Sequence, residues 1–283
     1  MSRFTELLAS EKTIVLDGAM GTQLQKRGLP PRTRSDLMNI SSPETVTEVH
    51  RLYIDAGSDI INANTFGANA HALAGSGASV RDVIAAGIAA AKAAAGKTAL
   101  VALDLGPVGE LLEPNGGVSH EDAYALFAEQ AKLGAEFGAD LVAIETMSDL
   151  DETCLAIRAV RENTALDVAV TMTFGKGGRT YLGVTPTQFA EAAEALGAAA
   201  LGLNCSYPPE FMLDTVEELR SATTLPLIVK LNAGLPGADG GYDAKPEDFA
   251  QSMLAYRDLG VQLVGACCGS DERFIAALKA TYK

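Results

Sequence analysis

Short runs of apolar residues, many of them β-branched, recur along the whole chain, with amphipathic segments of helical spacing between them. Most runs are apolar throughout rather than alternating with polar residues, which is typical of parallel strands covered by helices. The predicted strands are Thr13–Leu16, Asp59–Ala63, Ala99–Leu103, Asp140–Ile144, Val168–Thr173, Ala200–Asn204, Leu225–Leu231 and Gln262–Ala266. Eight strand–helix units within 283 residues favour an α/β fold of one domain, residues 1–283, closed as a (β/α)8 TIM barrel.

Start signals support the intervening helices. Ser42-Pro43-Glu44 opens one helix with proline at its first position, and Thr185-Pro186-Thr187-Gln188 is a capping box. Further predicted starts are Ser119 with Asp122, and Ser270 with Asp271 and Glu272. No Gly-x-Gly-x-x-Gly follows the first strand, which argues against dinucleotide binding.

Polar and glycine-rich segments follow most of the predicted strands. In a barrel of this type these segments meet at one mouth, where the chemistry of such folds takes place. They are Asp17–Thr22, Asn64–Asn69, Asp104–Pro107, Glu145–Met147, Asn204–Cys205, Asn232–Gly234 and Cys267–Gly269. The long connection Gly234–Asp243 is predicted to form a lid over that mouth.

Charge and composition exclude several classes of partner. The chain has 22 basic and 36 acidic residues, a net charge of −14, which argues against binding to nucleic acid or an anionic membrane. The sequence lacks both an apolar run long enough to span a bilayer and an N-terminal export signal, so we expect a cytoplasmic protein. Its 4 cysteines are too few for a disulfide scaffold.

Three of the cysteines stand at predicted strand ends and form a candidate metal site. Cys205 ends the sixth strand, and the pair Cys267-Cys268 ends the eighth. Adjacent residues in a strand point to opposite faces, so both thiols can reach one metal only where the chain turns, which Gly269 permits. Separate buried cysteines and a strained vicinal disulfide are the alternatives. Cys154, on a predicted helix, is expected to be structural.

Zinc is the metal that such a site favours, because thiolates prefer soft or borderline ions. Zinc with three thiolates carries a charge of −1 and is a weak Lewis acid for a carbonyl. A substrate thiol in the fourth position would instead lose its proton and remain electron-rich. The predicted chemistry is alkyl transfer to a thiol.

Asp17 and Glu145 are candidates for binding a cationic group such as an amino-acid ammonium, although each could instead cap a helix. Backbone amides at Gly18, Gly21 and Thr22 could hold a carboxylate. The histidines lack the spacing of metal ligands and are expected to be structural or superficial; they are His50, His71 and His120.

These motifs resemble the zinc-dependent homocysteine S-methyltransferase family, and particularly the N-terminal homocysteine-binding module of cobalamin-dependent methionine synthase. The segments that carry the resemblance are Leu16–Thr22, Asn64–Phe66, Asp104–Pro107, Ile144–Thr146, Gly202–Cys205, Asn232–Pro236 and Cys267–Gly269. The resemblance implies zinc on Cys205, Cys267 and Cys268, with Asn232 as a fourth ligand until substrate sulfur displaces it. The predicted substrate-binding residues are Asp17, Gly18, Thr22, Asn64, Glu145 and Asn204.

Two positions depart from the family pattern. Ala266 replaces a glycine before the cysteine pair, and Leu231 replaces the proline that commonly precedes Asn232. The added methyl group of Ala266 is expected to tighten or reshape the acceptor pocket.

The resemblance implies methylation of homocysteine, or a related thiol, to give methionine. The similar module normally continues into folate- and cobalamin-binding domains that this sequence does not contain. We therefore expect methylcobalamin on a separate corrinoid protein as donor, and a sulfonium such as S-methylmethionine as the alternative. Two other hypotheses are a Schiff-base lyase using Lys230 and a non-enzymatic homocysteine-binding component that works only when docked to a corrinoid protein.

Overall fold

Eight parallel strands form one sheet, in the hydrogen-bonded order β1-β8-β7-β6-β5-β4-β3-β2, in a computed structural model that describes residues 1–10, 12–30, 33–237 and 241–282. The strands are β1 (Ile14–Val15), β2 (Ile60–Asn62), β3 (Leu100–Leu105), β4 (Leu141–Met147), β5 (Val168–Met172), β6 (Ala200–Asn204), β7 (Leu227–Leu231) and β8 (Val261–Ala266). Asp59 joins β1 to β2, because its N–H donates to the Val15 carbonyl at 2.6 Å and its carboxylate accepts from the Val15 N–H at 2.8 Å. The predicted single-domain (β/α)8 barrel is confirmed.

Helices lie outside the strands and alternate with them along the chain. They are α1 (Arg3–Leu8), α2 (Gly21–Lys26), α3 (Met38–Ser41), α4 (Pro43–Asp55), α5 (Val80–Ala95), α6 (His120–Glu136), α7 (Leu150–Asn163), α8 (Pro186–Ala195), α9 (Leu213–Ala222), α10 (Pro246–Met253) and α11 (Glu272–Thr281). Short 3-10 turns occur at Pro209–Phe211 and Leu254–Tyr256. Within the described ranges, none of the helices combines the length and apolar character needed to cross a bilayer.

Strand boundaries agree with the predicted ones to within two residues except at the C-terminal end of β4, but two strands run past a carboxylate that was predicted to follow them. β3 continues to Leu105 and β4 to Met147. Asp104 and Glu145, which were predicted to follow their strands, therefore lie inside them. Both side chains are therefore positioned by strands rather than by loops, and Glu145 lies where the register of β4 against β5 shifts between Ile144 and Met147.

The helix starts are confirmed in part. Thr185 and Gln188 form the predicted capping box, and Ser119 accepts from the N–H of Asp122. Ser42 is the N-cap of α4 but makes no side-chain capping hydrogen bond. The prediction for Ser270 was wrong: Asp271 caps α11, and the Ser270 hydroxyl donates to the Cys267 carbonyl at 2.8 Å.

The barrel interior is filled by apolar side chains at its N-terminal end. Phe4 of α1 is fully buried there and closes the bottom of the barrel against residues from the strands. A second, larger apolar layer lies between the strands and the helices. The opposite, C-terminal end of the barrel is left for the polar strand ends.

The predicted lid, Gly234–Asp243, lies partly outside the described residues, since 238–240 are not among them. In its described part, the Gly237 N–H donates to the Gly241 carbonyl at 2.8 Å. Tyr242 packs directly over Gly269, beside the cysteine pair. The lid itself stays a prediction.

Candidate active site

The three predicted thiols meet at the C-terminal mouth of the barrel. The Sγ atoms of Cys205, Cys267 and Cys268 all lie within 4.8 Å of one another, and those of Cys205 and Cys268 are 3.6 Å apart. Two sulfurs bonded tetrahedrally to one zinc at about 2.3 Å are separated by about 3.8 Å. The donor set and its spacing therefore fit a zinc ion.

Backbone turns aim these thiols inward. Cys205 leaves β6 with a positive φ of 46°, and Gly269 has φ of 86° directly after the pair. The Cys267 N–H still donates to the Leu231 carbonyl at 2.7 Å, so the turn begins only after the sheet pairing ends. Neighbouring thiols can consequently face one centre, as the sequence predicted.

The cluster favours a bound cation. Hydrogen bonds from the Cys205 and Cys267 thiols lower the pKa of Cys268 to about 3, which favours a thiolate at this sulfur. Asn232, the predicted fourth ligand, follows β7, and the next N–H, of Ala233, donates to the Cys268 carbonyl at 2.9 Å. Among the described residues, the buried Oδ1 of Asn232 has no hydrogen-bond partner, which leaves it available to a metal.

A pocket of about 390 Å3 adjoins the thiols inside the mouth. It is lined by the three cysteines and by five of the six predicted substrate-binding residues, which are Asp17, Gly18, Thr22, Asn64 and Glu145. The Asn64 amide donates to Asn39 and to the Ser35 carbonyl, so it shapes the wall. The Thr22 hydroxyl oxygen is buried without a hydrogen-bond partner in the described chain and is available to a ligand.

Asn204, the sixth predicted residue, does not line this pocket. It is fully buried, and its side-chain oxygen accepts from the Thr146 N–H at 2.7 Å and from the Thr171 hydroxyl at 2.8 Å. Asn204 thus supports the walls of the site from behind.

Lys230 of β7 lies at the floor of the pocket among carboxylates. Its Nζ is 2.9 Å from Asp17 Oδ1 and 3.4 Å from Glu145 Oε2. Burial lowers the pKa of Lys230, but the surrounding negative groups, led by Asp17 and Glu145, outweigh burial and raise this pKa well above its ordinary value. A lysine held protonated is a poor nucleophile, so the geometry does not favour the Schiff-base hypothesis.

Neither predicted carboxylate caps a helix. Asp17 Oδ2 accepts from the Asn62 backbone N–H at 2.8 Å, and Glu145 Oε2 accepts from the Asn62 side chain at 3.0 Å. The cap of α7 is Asp149. Burial raises the pKa of Glu145 to about 7, and Lys230 opposes this rise.

Sequence reasoning placed Asp104 at the mouth without giving it a role, and it missed Asn62 and Ser270. Asp104 of β3 lines the pocket as a third carboxylate, Asn62 of β2 bridges the first two, and Ser270 ties the cysteine turn to the first loop by accepting from the Ala19 N–H at 3.0 Å. The signal for Asp104 was a charged residue at the end of an apolar strand. Nothing in the sequence near Asn62 or Ser270 indicated their roles.

A second cavity, which we call the outer cavity, has a volume of about 480 Å3 and opens among the loops after β5, β6 and β7. Cys205 lines both the pocket and the outer cavity, and Asn232 lines the outer cavity. Its wall includes Arg179, Tyr181 and Leu235, and Tyr181 is 92% exposed. The thiol cluster can therefore be reached from two sides.

The remaining candidates lie elsewhere, as expected. His50 is buried in α4, and His71 and His120 are exposed beside Glu110 and Asp151. Cys154 is half-buried in α7 and is not part of the thiol cluster.

Comparison with known families agrees with this geometry. The homocysteine S-methyltransferase family model matches residues 14–282. The chain belongs to this family.

Curated relatives include methionine synthases. That of Mycobacterium leprae (strain TN) is 30% identical over 303 aligned residues covering 98% of this chain and 25% of the relative. That of Mycobacterium tuberculosis (strain ATCC 25618 / H37Rv) is 31% identical with the same coverage. This homocysteine S-methyltransferase family member thus spans about a quarter of the length of these relatives.

Solved structures show the same fold. The homocysteine methyltransferase MmuM from Escherichia coli matches in its metallated form with a TM-score of 0.84 and 24% identity, covering 97% of this chain and 98% of that chain. Its apo form matches with a TM-score of 0.79 and 25% identity, with the same coverage.

The two departures from the family pattern lie behind the site. Leu231 and Ala266 are register partners on β7 and β8, and both are fully buried. Neither is among the residues that line the pocket. The effect expected of the Ala266 methyl group on the pocket is therefore at most indirect.

Proposed function

We propose that this chain is an enzyme that methylates the thiol of homocysteine to give methionine. The observation that carries the proposal is a cluster of three thiols directly beside a pocket lined by buried carboxylates. Such a pocket suits a small molecule with an ammonium at one end and sulfur at the other. Family membership supports the same reaction.

The pocket residues would bind and orient the amino acid. Buried carboxylates offer an ion pair to the ammonium, and the Thr22 hydroxyl with the backbone near Gly18 offers hydrogen bonds to the substrate carboxylate. Gly18 is required there, because a side chain at this position would collide with Tyr53 and Ser270. Anchoring the polar end in this way places the sulfur at the cysteines.

Cys205, Cys267 and Cys268 would hold zinc, with Asn232 as the fourth ligand when no substrate is present. The metal would supply a position at which a substrate thiol becomes a thiolate near neutral pH. The family resemblance and the donor set support zinc over harder ions.

We further propose that the methyl donor approaches through the outer cavity. Cys205 lines both the pocket and the outer cavity, so homocysteine bound in the pocket would leave the outer cavity as the remaining approach to Cys205. The thiolate attacks the methyl carbon, the sulfur–carbon bond forms as the donor–carbon bond breaks, and the electron pair leaves with the donor. Methylcobalamin on a separate corrinoid protein is the proposed donor, in the cytoplasm, and the similarity to methionine synthases supports it.

A donor panel tests the proposal. Zinc-loaded protein with homocysteine is offered methylcobalamin, a methylated corrinoid protein, S-methylmethionine, betaine or methyltetrahydrofolate, and methionine is measured. We expect turnover with the corrinoid donors. If only S-methylmethionine supports turnover, the methyl donor is a sulfonium and the proposal of a corrinoid donor is wrong. If no donor supports turnover, the proposed function is contradicted.

A further inference from the structure

The two openings beside the thiols differ in charge. The pocket is lined by the carboxyl groups of Asp17, Asp104 and Glu145 and by one cation, Lys230. Among the described residues, the outer cavity is lined by a single charged side chain, that of Arg179, and by no carboxyl group. The outer cavity therefore favours a negatively charged ligand group, although the chain as a whole carries a net charge of −14.

Arg179 lies on a loop that local hydrogen bonds hold in place after β5. The Gly175 N–H donates to the Arg179 carbonyl at 2.8 Å, and the Thr180 N–H donates to the Val184 carbonyl at 3.0 Å. Thr180 is buried, whereas Arg179 is exposed. The backbone beside Arg179 is thus anchored while its side chain lines the outer cavity.

The guanidinium of Arg179 keeps unused hydrogen-bond donors. Its Nη1 donates to the Gly183 carbonyl at 3.2 Å, which fixes one part of the group. Within the described ranges, Arg179 takes no part in the ion pairs that other arginines form with carboxylates. A guanidinium has several N–H donors in a planar fork that matches phosphate and carboxylate groups. The remaining donors of Arg179 are therefore available to an anionic group in the cavity.

Exposed apolar side chains surround the same cavity. Tyr181 and Leu235 line it and are 92% and 46% exposed. Phe211, which is 41% exposed, packs against the cavity-lining Tyr207, and Lys176 Nζ lies 3.7 Å from the Phe211 ring centroid. Clustered exposed apolar side chains are typical of ligand sites. The lining suits a ligand that has an apolar body as well as an anionic group.

The outer cavity also connects Arg179 with the thiol cluster. Cys205 and Asn232 line the same cavity as Arg179. A molecule whose anionic group binds Arg179 in this cavity would therefore lie beside the proposed zinc site, where a substrate sulfur could reach its methyl group.

We propose that Arg179 binds an anionic group of the methyl donor, a phosphate or a carboxylate, and that this contact makes Arg179 a determinant of donor specificity. Methylcobalamin carries a phosphate in its nucleotide, and S-methylmethionine carries a carboxylate. This inference rests on the proposed function, since it assigns the charge of the donor in the same reaction.

The test compares donors in pairs that differ in the anionic group. Methylcobinamide lacks the nucleotide of methylcobalamin with its phosphate, and the methyl ester of S-methylmethionine lacks the free carboxylate. For each donor, kcat/KM is measured with saturating homocysteine in zinc-loaded wild type, Arg179→Ala, Arg179→Lys and Arg51→Ala. Arg51 is the matched control, because it is also exposed and donates to one backbone carbonyl, that of Ala93 at 3.4 Å, but does not line the cavity. Circular dichroism and zinc content check the fold of each variant.

In Arg179→Ala we expect kcat/KM to fall roughly tenfold for the anionic member of one pair and to stay unchanged for the member that lacks the anion. Arg179→Lys should retain part of the preference, because it keeps the charge but loses the planar fork. Arg51→Ala should behave as wild type. The pair that responds identifies the anion as phosphate or carboxylate. Equal loss for both members of each pair, or no loss in either pair, would overturn the role of Arg179.

Calorimetric titration of the same donors without homocysteine separates this inference from the proposed function. Donor binding that prefers the anionic member in wild type but not in Arg179→Ala, with no methionine formed, would support the anion site and contradict the proposed function. Methionine formation without such a preference would support the proposed function and overturn the inference. If the wild type shows neither methionine formation nor the preference, both proposals are wrong.

Discussion

Asn204 and Thr146 hold each other by a reciprocal pair of hydrogen bonds. The side-chain oxygen of Asn204 accepts from the Thr146 N–H at 2.7 Å, and its amide nitrogen donates to the Thr146 hydroxyl at 2.8 Å. Thr146 has a positive φ of 63° and follows Glu145, while Asn204 precedes Cys205. The pair therefore links the carboxylate side of the site to its thiol side.

Replacing Asn204 by alanine should damage both sides at once. The variant leaves the Thr146 N–H unpaired beside a strained backbone, and we expect unfolding free energy to fall by about 2–4 kcal/mol. Metal affinity and homocysteine affinity should fall together. Urea denaturation, zinc competition and calorimetry measure the three quantities. Unchanged homocysteine affinity in a folded Asn204→Ala variant would contradict the coupling.

Replacing Cys268 by alanine should remove the metal. The variant leaves two thiol ligands in place of three, and bound zinc should fall from near-stoichiometric to a small fraction. Cys154→Ala is the matched control, because that cysteine lies outside the cluster and should retain zinc. Metal analysis of the purified proteins measures the zinc content of both variants. Equal zinc in Cys268→Ala and Cys154→Ala would refute the proposed zinc site.

The turn after the cysteine pair requires glycine for two reasons. Gly269 has φ of 86°, and a side chain there would collide with the Tyr242 ring. Gly269→Ala should therefore weaken zinc binding at least tenfold, because the turn must move and with it Cys268.

Gly260 offers the control for this effect. It also has positive φ, 71°, but a side chain there would meet no described atom within 4 Å. Gly260→Ala should cost only about 1 kcal/mol of stability and leave zinc affinity unchanged. Competition with a chelator measures the zinc affinity of the Gly269→Ala and Gly260→Ala variants. Similar zinc affinities in the two variants would show that the turn tolerates the added methyl group.

Glu152 of α7 should make stability depend on pH. Its carboxylate accepts from the Val108 N–H at 2.7 Å, but burial raises its pKa to about 7. The folded state therefore binds the proton more tightly than the unfolded chain does, so the stabilisation is complete below the unfolded pKa of 4.5 and is lost as pH rises through about 7.

The Glu152→Gln variant removes this dependence while keeping a side-chain oxygen for Val108. Relative to wild type, it should gain on the order of 1–3 kcal/mol of unfolding free energy between pH 5 and pH 8. Urea unfolding of both proteins at the two pH values measures the difference. A constant difference between the proteins would show that Glu152 has an ordinary pKa.

Local pattern predicted the scaffold well. The buried strands were recognised because a parallel strand covered on both faces is apolar at every position, and the β6 boundary at Ala200–Asn204 was correct to the residue. The capping box at Thr185 was equally visible, because both of its partners are close in sequence. The prediction that Ser270 starts a helix was wrong for the opposite reason. The hydroxyl of Ser270 bonds to the Ala19 N–H and the Cys267 carbonyl, and the fold rather than the local sequence brings these groups together.

The sequence by itself determined the barrel and the three thiols at strand ends, because strand periodicity and cysteine position are properties of short segments. Only the tertiary structure decided how the charges are shared. Lys230 Nζ lies between Asp17 and Glu145, and the buried Oδ1 of Asp104 has no hydrogen-bond partner among the described residues. Both arrangements depend on side chains from four strands or strand ends that are distant in sequence. Such pairing is governed by separations of a few ångströms, which no local pattern encodes.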